Sequence, residues 1–180
     1  MSKILNTPVG LYFEDLEVGD SAKTMARTIT EADIMNFIGV SGIFEELHLS
    51  VEYIREHSIF GKRVSPGPLT FIVAEGLAVQ LGFIHHTGMA LLGIDKMRWP
   101  APVFCGDTVH VEITVREKKE TSKPDRGVVT FKHVVRKQDG EVVLEMHKVR
   151  MLRRRPPTSA AASAESDGKR ESPPAHQVHK

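Results

Sequence analysis

The sequence predicts an α+β fold in which one long apolar helix is wrapped by a curved antiparallel sheet, and three observations point to it. From Pro68 to about Phe83 the chain is apolar nearly all round, with Leu69, Phe71, Ile72, Val73, Leu77, Val79 and Leu81 leaving no wide polar face. Such a helix must be enclosed on most sides. Beyond it, Val109, Val111, Ile113 and Val115 alternate with His110, Glu112 and Thr114, the period of a half-buried strand. Before it the chain is irregular and helical, so helices and strands are segregated along the sequence instead of alternating.

The elements follow in order. Ser21 to Thr28 reads as a strand. Thr30-Glu31-Ala32-Asp33 resembles a capping box and opens a helix from about Glu31 to about Val40, with Ile34, Phe37 and Ile38 on one face. Gly42 ends that pattern. Ser50 is a second N-cap, starting a short helix that carries Val51 and Ile54 and ends near His57. The loop Phe60 to Pro68 delivers the chain to the long helix. Strands are expected at Ala90 to Trp99, at Val109 to Val115, at Val128 to Arg136 and at Glu141 to Arg153. Lys118 to Arg126 reads as a polar turn, and Gln138-Asp139-Gly140 as a tight hairpin turn. A sheet of four or five strands leaves an edge open. Pairing of two copies would cover it, so a homodimer is expected.

Composition narrows the class. The 180 residues suffice for one domain with a full core. Hydrophobic content of 41%, charged content of 26% and a net charge of +1 give no global field toward nucleic acid or membrane. The one cysteine, Cys105, allows no intrachain disulfide and no cysteine-based zinc site. Met1 to Asn6 lacks the apolar core of a signal peptide, and the apolar run from Pro68 to Ile84 contains Glu75 and Gln80 and is short for a membrane span. A cytoplasmic protein is expected. From Pro156 onward Val178 is the only large aliphatic residue, too little apolar surface to offset ordering entropy. The expected organisation is one domain over residues 1–155 and a disordered tail over 156–180.

Several stretches, taken in order, resemble the MaoC-like dehydratases, which have the hot dog fold. Tyr12-Phe13-Glu14-Asp15-Leu16-Glu17-Val18-Gly19-Asp20 is similar to their opening, and Arg27 to Ile34 to their first-helix entry. Ser65-Pro66-Gly67-Pro68-Leu69-Thr70 is similar to their turn into the hot dog helix, and Met97 to Thr108 to their strand, proline turn and Gly-Asp-Thr sequence. The resemblance covers roughly residues 11 to 153. It implies (R)-specific hydration of 2-enoyl-CoA, or dehydration of 3-hydroxyacyl thioesters, with no metal and no cofactor. The partner implied is an acyl-CoA or acyl-carrier-protein thioester. The family signature places an Asp shortly before a His, with Asn and Pro between. Here the stretch reads Gly42-Ile43-Phe44-Glu45-Glu46-Leu47-His48: His48 matches, while Ile43 occupies the Asp position and cannot take a proton. The turn that often reads His-Gly in relatives is Pro66-Gly67.

Adding water across an enoyl thioester needs a base near the water, an acid near the α-carbon, and donors for the charge that builds on the thioester oxygen. A helix N-terminus offers such donors, and Gly67 lets a carbonyl approach the backbone. His48 is the candidate base and Gly67 the candidate oxyanion donor. Glu45, three residues before His48, is the candidate replacement for the missing Asp. The plainer reading makes Glu45 and Glu46 solvated loop charges and His48 a structural hydrogen-bonder.

Other residues carry weaker signals. Glu75, alone in an apolar helix, raises a hot dog acyl-CoA thioesterase as an alternative, against a reading in which it meets the dimer interface or a backbone partner. Ile43 supports a non-catalytic acyl-CoA-binding subunit. Arg98 is a candidate CoA contact, against a packing or salt-bridge role. Arg150 and Arg153-Arg154-Arg155 suit phosphates or form a solvated basic junction. His85-His86 is a loop pair without metal-site spacing. His110, His133 and His147 share no spacing, and Cys105 reads as a small packing residue.

Overall fold

A computed structural model describes residues 10–156; the expected tail beyond residue 156 lies outside the described residues. After a 3-10 turn at Phe13–Asp15 come β1 (Ser21–Lys23), β2 (Arg27–Thr28), α1 (Glu31–Ser41), α2 (Glu46–Leu49), α3 (Val51–His57) and α4 (Gly67–Gln80). The strands β3 (Gly88–Arg98), β4 (Thr108–Glu120), β5 (Arg126–Lys137) and β6 (Val142–Arg153) follow. They form one antiparallel sheet of six strands in the order β1-β4-β5-β6-β3, with β2 also paired to β4.

Most of the expected elements are present, with informative differences. The strand expected over Ser21 to Thr28 is broken in two. Thr24 turns its hydroxyl into the ladder and accepts the Val111 N–H at 2.9 Å, so a side chain takes the place of a backbone pair. Strand β4 extends into the stretch expected to be a turn, because Lys118 to Glu120 pair with Gly127 to Val129 and only the residues after Glu120 turn. In α1, Thr30 Oγ1 accepts the Asp33 N–H at 3.2 Å and the Asp33 carboxylate accepts the Thr30 N–H at 2.9 Å. Gly42 closes α1 with φ +73, a conformation costly for a side-chain-bearing residue. Ser50 caps α3 through the Tyr53 N–H.

Helix α4 buries Leu69, Thr70, Val73, Ala74, Leu77 and Ala78. They join a core with Val109, Val111, Ile113 and Val115 of β4, Val129, Phe131 and Val135 of β5, and Leu144, Met146 and Leu152 of β6. The expectation of enclosure on most sides is too strong for the single chain. Pro68, Ile72, Gly76 and Gln80 recur every fourth residue as an exposed stripe, with Ile72 54% exposed. Uniform hydrophobicity hides which face lies open.

The core has a polar centre. Lys148 on β6 is fully buried and forms an ion pair with Glu75 of α4, which also pairs with Arg150. His133 on β5 is 1% exposed, and neither ring nitrogen has a hydrogen-bond partner among the described residues. Burial, with the Arg150 charge adding to it, pushes the His133 imidazole down to about 3. The folded state therefore refuses a proton that the unfolded chain accepts below about pH 6.5. His133 supports stability above that pH and withdraws support as pH falls toward 3. Between pH 7 and 4.5 this amounts to roughly 2–3 kcal/mol. Urea unfolding of His133→Leu should show a flatter acid limb by that amount; an unchanged slope contradicts the assignment.

Candidate active site

Helix α2 is a single turn with Glu45 as N-cap, and the His48 N–H returns to the Glu45 carbonyl at 2.9 Å. His48 is half-buried, and its ring Nδ1 lies 2.9 Å from the Val64 carbonyl oxygen. A carbonyl can only accept, so Nδ1 carries a proton, and in the neutral ring it is Nε2 that keeps the lone pair. That is the tautomer a general base requires.

Val64 belongs to the short extended stretch that delivers the chain to α4. It bridges to Phe104, and the Ser65 N–H donates to the Val103 carbonyl at 2.7 Å. The start of α4 is sparing with donors. Leu69 and Thr70 both direct their N–H groups to the Pro66 carbonyl, at 3.0 and 3.4 Å, and Pro68 has none. Gly67 N–H is left without a partner among the described residues, so the expected cluster of helix-end donors reduces to one. Trp99 covers this glycine. Its indole Nε1 donates to the Gly67 carbonyl at 3.1 Å, and a Cβ at residue 67 would lie 3.3 Å from that nitrogen. A cleft of about 290 Å³ opens here, lined by Phe60, Val64, Gly67, Thr70, Trp99 and Pro102 among others.

The structure therefore links two of the sequence-predicted residues: the His48 ring is hydrogen-bonded to a residue that lines the Gly67 cleft. Glu45 is exposed, and its carboxylate has no hydrogen bond or ion pair among the described residues. Ile43 is half-buried. Arg98 pairs with Glu145 across the sheet, its Nε 2.9 Å from the carboxylate, and stays 71% exposed. Among the described residues Glu75 has no backbone partner for its side chain and does not line the cleft; Lys148 and Arg150 hold its carboxylate. Burial and the neighbouring Arg150 push the Lys148 ammonium down, against the pull of Glu75. The basic junction is also committed: Arg154 pairs with Glu14 and Arg155 with Asp15. Cys105 is exposed and packs in no core, because it sits in the turn closed by Gly106 at φ +93. No group of three or more His, Cys, Asp or Glu suited to a metal occurs among the described residues. No helix among them is long and apolar enough to cross a membrane.

Two residues of this neighbourhood escaped the sequence reading. Arg63 is largely buried against α2, and Trp99 packs on Gly67. An arginine in a loop between Lys62 and Val64 carries no periodic signal. The alternation of Trp99 with Arg98 at a strand end was the one available hint that the two face opposite ways.

Residues 15–137 match the MaoC-like domain model. The chain belongs to the MaoC-like dehydratase family. It is 32% identical over 134 residues to an (R)-specific enoyl-CoA hydratase of Rhodospirillum rubrum, covering 74% of this chain and 86% of that protein. It is 39% identical over 111 residues to Protein MaoC of Klebsiella aerogenes, covering 62% of this chain and 32% of that one. Identity to a mesaconyl-CoA hydratase of Cereibacter sphaeroides is 32% over 167 residues, or 89% of this chain and 46% of the relative. The chain thus spans about a third of one of these MaoC-like proteins and under half of another. Among solved structures, a MaoC-like dehydratase from Rhodospirillum rubrum superposes with a TM-score of 0.73 at 34% identity, over 82% of this chain and all of that one. A monoamine oxidase regulatory protein from Archaeoglobus gives 0.77 at 33%, over 87% and 99%. The hot dog arrangement of a long central helix on an antiparallel sheet is the fold of this MaoC-like chain.

The committed state of Glu75 yields a stability prediction. Glu75→Gln leaves Lys148 and Arg150 uncompensated and should cost about 3 kcal/mol in urea unfolding. Arg98→Ala, which breaks an exposed pair, should cost less than about 1 kcal/mol.

Proposed function

We propose that this protein is an acyl-thioester hydro-lyase that hydrates 2-enoyl thioesters, or dehydrates 3-hydroxyacyl thioesters, with (R) specificity. The observation that carries the reading is the His48 ring, whose Nδ1–H is committed at 2.9 Å to Val64, a residue lining the same cleft as Gly67, whose N–H has no partner among the described residues. In hydration, Nε2 of His48 takes a proton from water as the water oxygen bonds to the β-carbon. The electron pair of the double bond shifts toward the thioester carbonyl, and the Gly67 N–H stabilises the developing charge. A proton returned to the α-carbon regenerates the base, so water has added across the double bond with nothing else consumed. Glu45, on the same turn, holds the water with His48 in place of the absent Asp. The apolar cleft beside Trp99 receives the acyl end, and no metal or cofactor enters the reaction.

The carrier is CoA or acyl-carrier protein, and the exposed guanidinium of Arg98, next in sequence to Trp99, contacts its phosphate. Two copies pair through the open edge of β3, where Leu91 and Leu92 are 45% and 49% exposed. The sheet curls round α4 and leaves the cleft at its rim. A second reading, an acyl-CoA-binding subunit without activity, is favoured by Ile43 and by the unpartnered Glu45.

The test follows the enoyl absorbance of crotonyl-CoA. Wild type should consume it without releasing free thiol. His48→Ala should lose at least ~100-fold in rate, and Glu45→Gln about 10-fold. Free CoA release would instead indicate a thioesterase. Tight crotonyl-CoA binding without turnover would indicate the subunit reading. Wild-type rates in both variants would remove His48 and Glu45 from the mechanism.

A further inference from the structure

We infer that Arg63 is a positioning residue that holds His48 at a fixed place relative to Gly67; the inference rests on the hydro-lyase reading of that site. Helix α2 has four residues, too few to hold itself by internal hydrogen bonds. Its last carbonyls have no intrahelical partners. Arg63 supplies them. Its guanidinium donates to the carbonyl of His48 and, at 3.3 Å, to that of Leu49. On its other side it meets Glu31 of α1 at 3.3 Å, and the arginine side chain is only 14% exposed.

The next residue holds the other end of the same histidine, since the Val64 carbonyl takes the ring Nδ1–H. Backbone and imidazole of His48 are thus gripped by consecutive residues. Those residues are themselves fixed: Val64 bridges to Phe104, and the Ser65 N–H is bonded to Val103. Gly67 follows after Pro66. One continuous stretch, residues 63 to 67, therefore carries the clamp on the base at one end and the thioester donor at the other. It works as a ruler between them. Lys62 takes no part, because its ammonium lies over the Phe104 ring, 3.9 Å from the centroid.

The side chain needed is an arginine. A planar fork reaches two carbonyls and a carboxylate at once, whereas a lysine offers one compact cation on a flexible stem. Loosening α2 leaves every reacting group present but misplaces the base, and an ångström of misplacement costs on the order of 100-fold in rate. Binding of the thioester, made by the cleft and Gly67, is retained.

The experiment compares wild type, Arg63→Met, Arg63→Lys and the control Lys62→Ala with crotonyl-CoA, together with long-range proton–nitrogen spectra of the His48 ring. Arg63→Met should lose about 10- to 100-fold in kcat with KM within about threefold. Added guanidinium should recover part of the loss. The His48 spectrum should pass from one tautomer, protonated at Nδ1, to an averaged mixture. Arg63→Lys should fall between, and Lys62→Ala should match wild type. If Arg63→Met fails to fold, Arg63→Lys carries the same criteria. A folded Arg63 variant with wild-type kcat and an unchanged His48 tautomer overturns the inference, as does a loss confined to KM. A wild type without hydratase activity would defeat the hydro-lyase reading instead, while the tautomer spectra would still decide whether Arg63 holds His48.

Discussion

The inner face of α4 has to be kept from water, and the strands that cover it must bury their own inner faces in the same act. This mutual burial fixes the register of β4, β5 and β6: a slip of one residue would turn Val111, Phe131 and Met146 outward together. At the centre of that interface lies an ionic group, Glu75 against Lys148 and Arg150. Charges in such a place are tolerated only when matched, so the pairing also ties α4 to β6 at one rotational setting. The start of α4, and with it Gly67, is thereby set in place by contacts two turns further along the helix.

The candidate site is built differently. It depends on backbone groups and on short pieces that cannot stand alone: a one-turn helix, an extended stretch, a strand end. Each borrows rigidity from a neighbour through a directed hydrogen bond, from His48 to Val64, from Ser65 to Val103, from Trp99 to Gly67. The large apolar interface supplies the fixed frame, and the few polar ties at its rim convert that frame into a defined arrangement of donor and acceptor.

This division explains what the sequence made legible. Period-two alternation in Val109 to Val115 and the capping residues Thr30 and Ser50 report local rules, and those elements lie where they were expected. His48 and Gly67 stood out as candidates because residue type and an ordered family resemblance mark them. Arg63 was not, since its partners are backbone carbonyls that have no signature in sequence. His133 and Lys148 share the strand face of Val129 and Phe131 and of Leu144 and Met146, so alternation alone marks them as inward; their polar type hid this in the sequence. Thr24 broke an expected strand for a related reason, because a hydroxyl that imitates a backbone group is indistinguishable in sequence from one that faces solvent.

Strand β3 forms the open edge of the sheet, and it is uneven. Its pairing with β6 shifts register at three places, and Lys96 adopts φ +51 within the last irregularity. A straight edge would accept almost any extended chain and invite fibrillar growth. A kinked one admits only a strand whose own kinks fall in step, and the strand most certain to satisfy that condition is the same strand from a second copy. The irregular edge of β3 thus narrows the set of strands that could add to this sheet.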